Sequence, residues 1–385
     1  MMARKAGVVQ DLTKGIELLL KKNKIDYIIG TGTIKDSETV SVDPGKGKKK
    51  ITLKADSIVI ATGSEPAPLT GVNVDEKSII TSTSALKLPK VPKSMIVIGA
   101  GVIGLEMSSV WRRLGTKVTV IEFLDRILPG MDNELAKTAQ RILTKQGLEF
   151  RLTTKVTAAA ASSRGVTVTA EPVKGGTVET LKSDIVLLAI GRRPYTKGLG
   201  LESAGVPLDD RGRVVVDCEF QTAIPGIYAI GDVIHGPMLA HKAEEDGVAV
   251  AELLAGRPGL VDYNQVPGIV YTWPEIAAVG ATEEKLKENG VPYKVGKFPF
   301  TANSRARANA DTDGFVKVIA HGETDALLGC HIVGPLAGEL IQEAVTVLAF
   351  GGAAEDIARI CHGHPGMGEA VKEAAMAVNG HAIHI

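Results

Sequence analysis

The 385 residues lack any surplus of charge, since Lys+Arg and Asp+Glu both number 44. That balance gives no general electrostatic attraction to nucleic acid or to an anionic membrane. Long apolar runs are absent as well. The longest candidate, 344–350, is short and interrupted by Thr346, far below the length that spans a bilayer. Cysteine is scarce: Cys218, Cys330 and Cys361 are the only three, and none lies near another in sequence. No CxxC redox or zinc-ribbon spacing exists, so no metal site is expected, and a disulfide-stapled secreted fold is disfavoured. Internal repeats and low-complexity tracts are missing too. What is there is an ordinary globular composition, 44% hydrophobic and 23% charged, long enough for two or three domains with buried cores.

Residues 1–22 read as an amphipathic helix carrying Arg4, Lys5, Lys14, Lys21 and Lys22. The basic residues would suit a mitochondrial transit peptide, but Asp11 and Glu17 do not, because such peptides are acid-poor. An internal helix at a truncated start is the reading we adopt. Alternating segments at 26–33 and 50–53 predict strands around a Lys/Gly-rich turn, and 57–61 is a β-branched run ending in Thr62-Gly63-Ser64. Pro89 and Pro92 punctuate the chain before a new apolar strand at 95–99, where a domain boundary is expected.

From there strands and helices alternate, with helices over 104–114 and 133–146 and strands at 117–122, 154–158, 166–170 and 185–190. Such alternation predicts a parallel, doubly wound α/β sheet. A further strand at 226–230 leads to Gly231-Asp232 and a helix over 240–254. Beyond Val261 short strands (270–271, 277–279, 293–299, 315–320, 327–333) and helices near 338–350 and 368–378 predict an α+β domain.

Gly99-Ala100-Gly101-Val102-Ile103-Gly104 is a GxGxxG turn between a predicted strand and a predicted helix. Gly99 allows the tight turn, Gly101 lets backbone approach a pyrophosphate, and Gly104 lets helix pack on strand; the helix N-terminus then faces the phosphates. A lone GxGxxG is weak, but here a complete helix, a second strand and Glu122 at its end follow. A carboxylate there accepts ribose hydroxyls and repels a 2′-phosphate, which favours NAD over NADP. Glu106 in the following helix reads, by itself, as a solvated surface carboxylate. Asp232 reads equally as a turn or N-cap residue or as a ligand-binding carboxylate. A His-Pro dipeptide such as His364-Pro365 is by itself more often structural than catalytic.

Several segments together change those readings. GAGVIGLE, GRRP at 191–194, YAIGDV at 228–233, GPMLAHKAEE at 236–245, YTWPEIAAVG, KFPFTANSRA, DIARICHGHP and the His364…Glu369 spacing are similar, in order and over essentially the whole chain, to the dihydrolipoamide dehydrogenase family. The resemblance implies FAD and NAD as cofactors and NAD-linked oxidation of dihydrolipoamide. It implies domains over 1–92 (remainder of an FAD-binding domain), 93–214 (NAD-binding), 215–262 (second FAD-binding segment) and 263–385 (dimerisation). It assigns Gly32, Thr62, Gly63, Ser64, Asp232 and the helix start Met238-Leu239-Ala240-His241 to FAD. It assigns Val156 and Gly191 to NAD, and Glu106 to the nicotinamide's surroundings. It makes His364 the base that deprotonates a thiol of dihydrolipoamide across a homodimer interface, with Glu369 setting its tautomer. The resulting thiolate attacks an enzyme disulfide, and electrons pass through flavin to NAD⁺. The implied partners are lipoyl domains of 2-oxoacid dehydrogenase or glycine cleavage complexes, in the mitochondrial matrix or, in a bacterium, the cytoplasm.

Two departures stand out. The family's first FAD-binding GxGxxG unit and its CxxxxC redox pair are not in this sequence, so the chain as given is expected to be inactive on its own, and Glu106 is expected to lack a lysine partner. Gly366-Met367-Gly368 stands where relatives usually carry a Thr and a Ser, so a looser loop around His364 is expected. His362 is read as structural, and Cys361 as a buried thiol.

Overall fold

The computed structural model describes residues 1–385. The chain divides into two compact units, one formed by 1–65 and 193–261, the other by 66–192 and 262–385.

In the first unit a helix, Met2–Lys22, precedes a three-stranded antiparallel sheet of Thr31–Asp36, Thr39–Asp43 and Ile51–Lys54. No residue of that helix is buried; its Val9, Leu12, Ile16 and Leu19, spaced to share one face, are exposed. A parallel pair, Ile58–Ile60 with Ile227–Ala229, and the helix Ala240–Leu254 complete the unit. Its core gathers Ile34, Ile58, Ile60, Leu201, Val206, Phe220 and Ile227.

The second unit is built on a parallel sheet ordered Ile79–Ile80, Ile185–Leu188, Ser94–Ile98, Lys117–Ile121, Glu149–Arg151. Met95, Ile96, Val97 and Ile98 are buried in succession, as a strand covered on both faces requires. The helices Val102–Arg113 and Asn133–Lys145 cover it through Leu105, Trp111, Leu135 and Leu143. A five-stranded antiparallel sheet follows, ordered Gly268–Val270, Glu275–Gly280, Leu327–Gly334, Phe315–His321, Tyr293–Pro299. Alternate residues of its central strands enter different cores. Phe315 and Val333 join the parallel-sheet core, whereas Val316, Val318, Cys330 and Ile332 pack with the helices Ala337–Ala349, Ala354–Arg359 and Glu369–Ala377.

On the face of the central strands that Phe315 and Val333 share, a largely buried ion network centres on Lys317. Lys317, fully buried, donates to both oxygens of Asp132 at 3.0 Å and to Glu283. Asp132 is also the N-cap of the Asn133–Lys145 helix, accepting from the N–H of Glu134 and Leu135. Burial opposes charging of both partners, but it is outweighed. Asp132 titrates below the ordinary carboxylate range because of His331, Lys317 and its backbone donors, and Lys317 above the ordinary ammonium value because of Glu283 and Asp132.

Several expectations change. The strands at Thr154–Ser162 and Gly165–Pro172 are not part of the parallel sheet; with Glu179–Ser183 they form a separate antiparallel meander. Short connections of two or more turn residues favour antiparallel hairpins, a parallel crossover needing a dozen residues. The boundaries expected at 92/93 and 214/215 fall at 65/66 and 192/193. Ile79–Ile80 extends the parallel sheet beside Val186 and Leu187, so the prolines at 89 and 92 mark a loop within that unit. Leu201, Val206 and Val214 pack with Ile34 and Ile227, which draws 193–214 into the first unit. The strand expected over 26–33 begins only at Thr31, the exposed residues before it being unpaired in any sheet.

Candidate functional site

The GxGxxG turn joins the Ser94–Ile98 strand to the Val102–Arg113 helix. Gly99 adopts φ +106°, and a Cβ there would lie 2.3 Å from the Ala189 carbonyl oxygen. A Cβ on Gly104 would lie 2.1 Å from the Gly99 carbonyl oxygen, so the helix packs this closely only without a side chain. A Cβ on Gly101, in contrast, would meet nothing within 4 Å: its smallness serves the open space in front of the turn. That space is a cavity of about 630 Å³ lined by Gly99, Gly101, Val102, Ile103, Glu122, Val156 and Gly191. Ala100 is fully buried, and neither it nor Gly104 lines the cavity; both shape the turn from behind.

Glu122 is nearly buried, with Oε2 accepting the Ala100 N–H at 2.7 Å and Oε1 accepting the Leu124 N–H at 2.9 Å. The carboxylate expected to meet ribose hydroxyls therefore also braces the turn. Glu106 is not a solvated surface carboxylate. It is half-buried, accepts the Tyr271 N–H at 2.9 Å, and burial pushes its carboxyl above the ordinary range against that hydrogen bond. The turn, its empty volume and its brace fit a dinucleotide.

In the first unit Thr62, Gly63 and Ser64 follow the Ile58–Ile60 strand. Thr62 Oγ1 donates to the Tyr195 carbonyl at 2.7 Å, and Ser64 Oγ donates to Asp232 Oδ2. Asp232 lies in a single 3₁₀ turn, Gly231–Val233, whose N-cap is Ile230, so it is a turn residue rather than an N-cap. A fully buried ion pair on the next helix holds that turn. Lys242 and Asp246, 2.7 Å apart and one helical turn from each other, grip Gly231 from both sides: Asp246 accepts its N–H at 2.9 Å and Lys242 donates to its carbonyl at 3.1 Å. Neither residue was singled out from the sequence, although the i,i+4 spacing was a visible signal. Met238 and Leu239 precede the helix that opens at Ala240 and His241; Leu239 is its N-cap and supplies no side-chain cap, which leaves the helix start to backbone N–H groups. Gly63 is at φ +70° with nothing within 4 Å of a Cβ. This set of oxygens and open backbone fits a flavin's polyhydroxylated arm. Gly32, which the resemblance also assigns to FAD, sits inside the Thr31–Asp36 strand opposite Val42.

His364 and Glu369 come together as expected. His364 Nδ1–H donates to the Glu369 carboxylate at 3.0 and 3.2 Å, and the imidazole side chain is 71% exposed. Burial opposes ionisation of Glu369, but the Gly366 N–H and His364 outweigh it and hold the carboxyl below its ordinary range. With Nδ1 engaged as donor, Nε2 is the nitrogen left to take a proton. His362 differs: Nδ1 contacts the Ile360 carbonyl at 3.0 Å and Nε2 the Glu343 carboxylate at 2.8 Å, so both nitrogens are committed. Cys361 is exposed rather than buried, because the 360–366 segment runs over the surface after the Ala354–Arg359 helix ends. Cys330 is the buried thiol, and burial pushes it up to about 12. All three cysteines are free.

Comparison with known proteins gives consistent matches. Residues 2–247 match the pyridine nucleotide-disulphide oxidoreductase family and 266–375 its dimerisation domain. Dihydrolipoyl dehydrogenase 3 of Pseudomonas putida is 56% identical over 385 residues, all of this chain and 82% of that protein. Mitochondrial dihydrolipoyl dehydrogenase 1 of Arabidopsis thaliana is 54% identical over 385 residues, all of this chain and 76% of its own length. Among solved structures, LpdA from Mycobacterium tuberculosis superposes with a TM-score of 0.90 at 28% identity, over 97% of this chain and 82% of that one.

Proposed function

Since the chain belongs to the pyridine nucleotide-disulphide oxidoreductase family, and within it to the dihydrolipoamide dehydrogenases, we propose that its residues supply the nicotinamide end and the proton acceptor of NAD-linked dihydrolipoamide oxidation. The observation that carries this reading is the His364–Glu369 pair, an exposed imidazole with one nitrogen fixed by a carboxylate and the other free to act as a base. The family uses FAD and NAD, which when bound provide the path for the two electrons leaving the substrate sulfurs. The protein's share is positional. The Gly99–Gly104 turn offers backbone N–H groups to a pyrophosphate, Glu122 meets ribose hydroxyls, and Asp232 with Ser64 meets the flavin's polyol arm. His364 takes the thiol proton, and Glu369 stabilises the imidazolium that results.

The 385 residues contain three free cysteines and no disulfide for the substrate to reduce. The chain as given is therefore read as inactive toward dihydrolipoamide by itself. The same observation favours a second reading, a non-catalytic NAD-binding and dimerising module. The partners that fit the first reading are lipoyl domains of 2-oxoacid dehydrogenase or glycine cleavage complexes, met by a homodimer. The compartment is the mitochondrial matrix, or the cytoplasm of a bacterium; no helix is long and apolar enough to cross a membrane.

The test is a titration of the purified chain with NADH and NADPH, followed by nicotinamide fluorescence. NADH is expected to bind about tenfold or more tightly than NADPH, and Gly101→Val to abolish binding without unfolding the chain. Equal affinity for the two nucleotides sinks the NAD preference given to Glu122, and none for either sinks the dinucleotide assignment. Addition of dihydrolipoamide and NAD⁺ is expected to yield no NADH; clear turnover would overturn the inactivity of this form.

A further inference from the structure

The loop that carries His364 is tied on one side by Glu369, and on the other by a residue more than sixty positions away in sequence. Asn303 is 3% exposed and belongs to the KFPFTANSRA segment. Its Oδ1 accepts the Ala306 N–H at 2.9 Å, capping the short Ser304–Ala308 helix. That contact fixes the orientation of the amide, so its NH₂ group faces the other way. There Nδ2–H donates to the Gly366 carbonyl at 3.0 Å. Capping accounts for the oxygen and leaves the nitrogen's bond unexplained; an aspartate or serine caps a helix equally well without it.

Gly366 is thereby held at both its polar atoms, its carbonyl by Asn303 and its N–H by Glu369 at 2.9 Å. The same carboxylate receives the His364 Nδ1–H. Only Pro365, with its fixed φ, separates Gly366 from His364. The loop is also drawn tight, because a Cβ on Gly366 would lie 2.5 Å from the Gly363 carbonyl oxygen. The expected looseness of the two-glycine loop is thus countered by hydrogen bonds to its backbone.

We propose that Asn303 is a positioning residue for His364: by clamping the Gly366 carbonyl it holds the loop so that Glu369 can grip Gly366 and His364 together. The functional meaning rests on His364 being the proton acceptor, but the clamp itself does not.

The test uses this full chain without ligand. Asn303→Ser keeps a capping oxygen and removes the donor to Gly366. Its thermal midpoint is expected to stay near the parent's. The Gly366 amide should exchange with solvent about tenfold faster, and the His364 imidazole ¹⁵N signals should lose the single-tautomer pattern of the parent. A folded Asn303→Ser protein in which Gly366 exchange stays within twofold and the His364 signals are unmoved makes Asn303 a helix cap only. Should this variant fail to fold, the parent decides. Protected Asn303 side-chain amide protons support the clamp, and exchange as fast as that of surface amides overturns it. Because the readouts report loop geometry, failure here leaves the NADH titration and the role of His364 untouched, and failure of that titration leaves the clamp standing.

Discussion

Lys317 with Asp132 and His364 with Glu369 both set a side-chain nitrogen against a carboxylate at 3.0 Å, yet they do opposite things. The first pair is entirely buried, joins a sheet to a helix N-cap, and has every charge answered by a further group. The second leaves its imidazole 71% exposed. Distance alone therefore does not tell a structural pair from a reactive one. Burial commits a charge to the fold, because removing its partner strands it in a poor dielectric. Exposure leaves a nitrogen available for chemistry at little cost to stability. His362 with Glu343, 10% and 28% exposed, lies between the two.

That ordering makes a graded series of predictions. Lys317→Ala is expected to destabilise the chain by about 3–5 kcal/mol in denaturant unfolding, by leaving Asp132 buried without its cation; a loss under about 1 kcal/mol would break the comparison at its strongest point. His362→Ala should cost about 1–2 kcal/mol, since two hydrogen bonds, one of them to a carboxylate, disappear from a mostly covered site. A loss as large as that of Lys317→Ala would show that something other than burial sets the scale. His364→Ala should change stability by no more than about 0.5 kcal/mol, solvent screening having removed most of the pair's worth.

The pH dependence follows the same division. Asp132 is held below its ordinary 3.8 and Lys317 above its ordinary 10.5. The buried pair's stabilisation is therefore full between those values, fades as pH falls below 3.8, and fades as pH rises past 10.5. Glu369 is likewise held below its ordinary 4.5, so the smallest effect expected is a slight advantage of the parent over Glu369→Gln at neutral pH that vanishes below 4.5. Parallel unfolding curves at pH 7 and pH 3 would check it; a gap that persists at pH 3 would mean that packing, not charge, makes the difference.

Local pattern made much of this molecule readable. The Asn133–Lys145 and Ala240–Leu254 helices and the Tyr293–Pro299 strand lie within a residue of their expected spans, because apolar periodicity and turn residues bound them on both sides. The GxGxxG turn was legible from its spacing between a strand and a helix, although of the clashes that keep its glycines bare only that of Gly104 with Gly99 is local: Gly99 is crowded by the distant Ala189, and Gly101 faces open space. The His364–Glu369 pair was legible through the family resemblance of the segment around it, a His-Pro dipeptide by itself reading as structural; the structure brings the two side chains together. Partners distant in sequence were not. Nothing in the spacing of Asp132, Glu283 and Lys317, or of Asn303 and Gly366, announces that they meet. Cys361 was misplaced for a related reason: whether a thiol is covered depends on what the rest of the chain lays beside it.

The amino-acid order by itself thus determined the elements and the glycine-rich turn, since each is a matter of local sterics and short-range periodicity, while His364 was singled out only by the resemblance of its segment to a known family. Which carboxylates are buried, which histidine keeps a nitrogen free, and which asparagine holds the active loop were decided only by tertiary structure, because desolvation and long-range hydrogen bonding exist only once segments far apart in the chain are packed together.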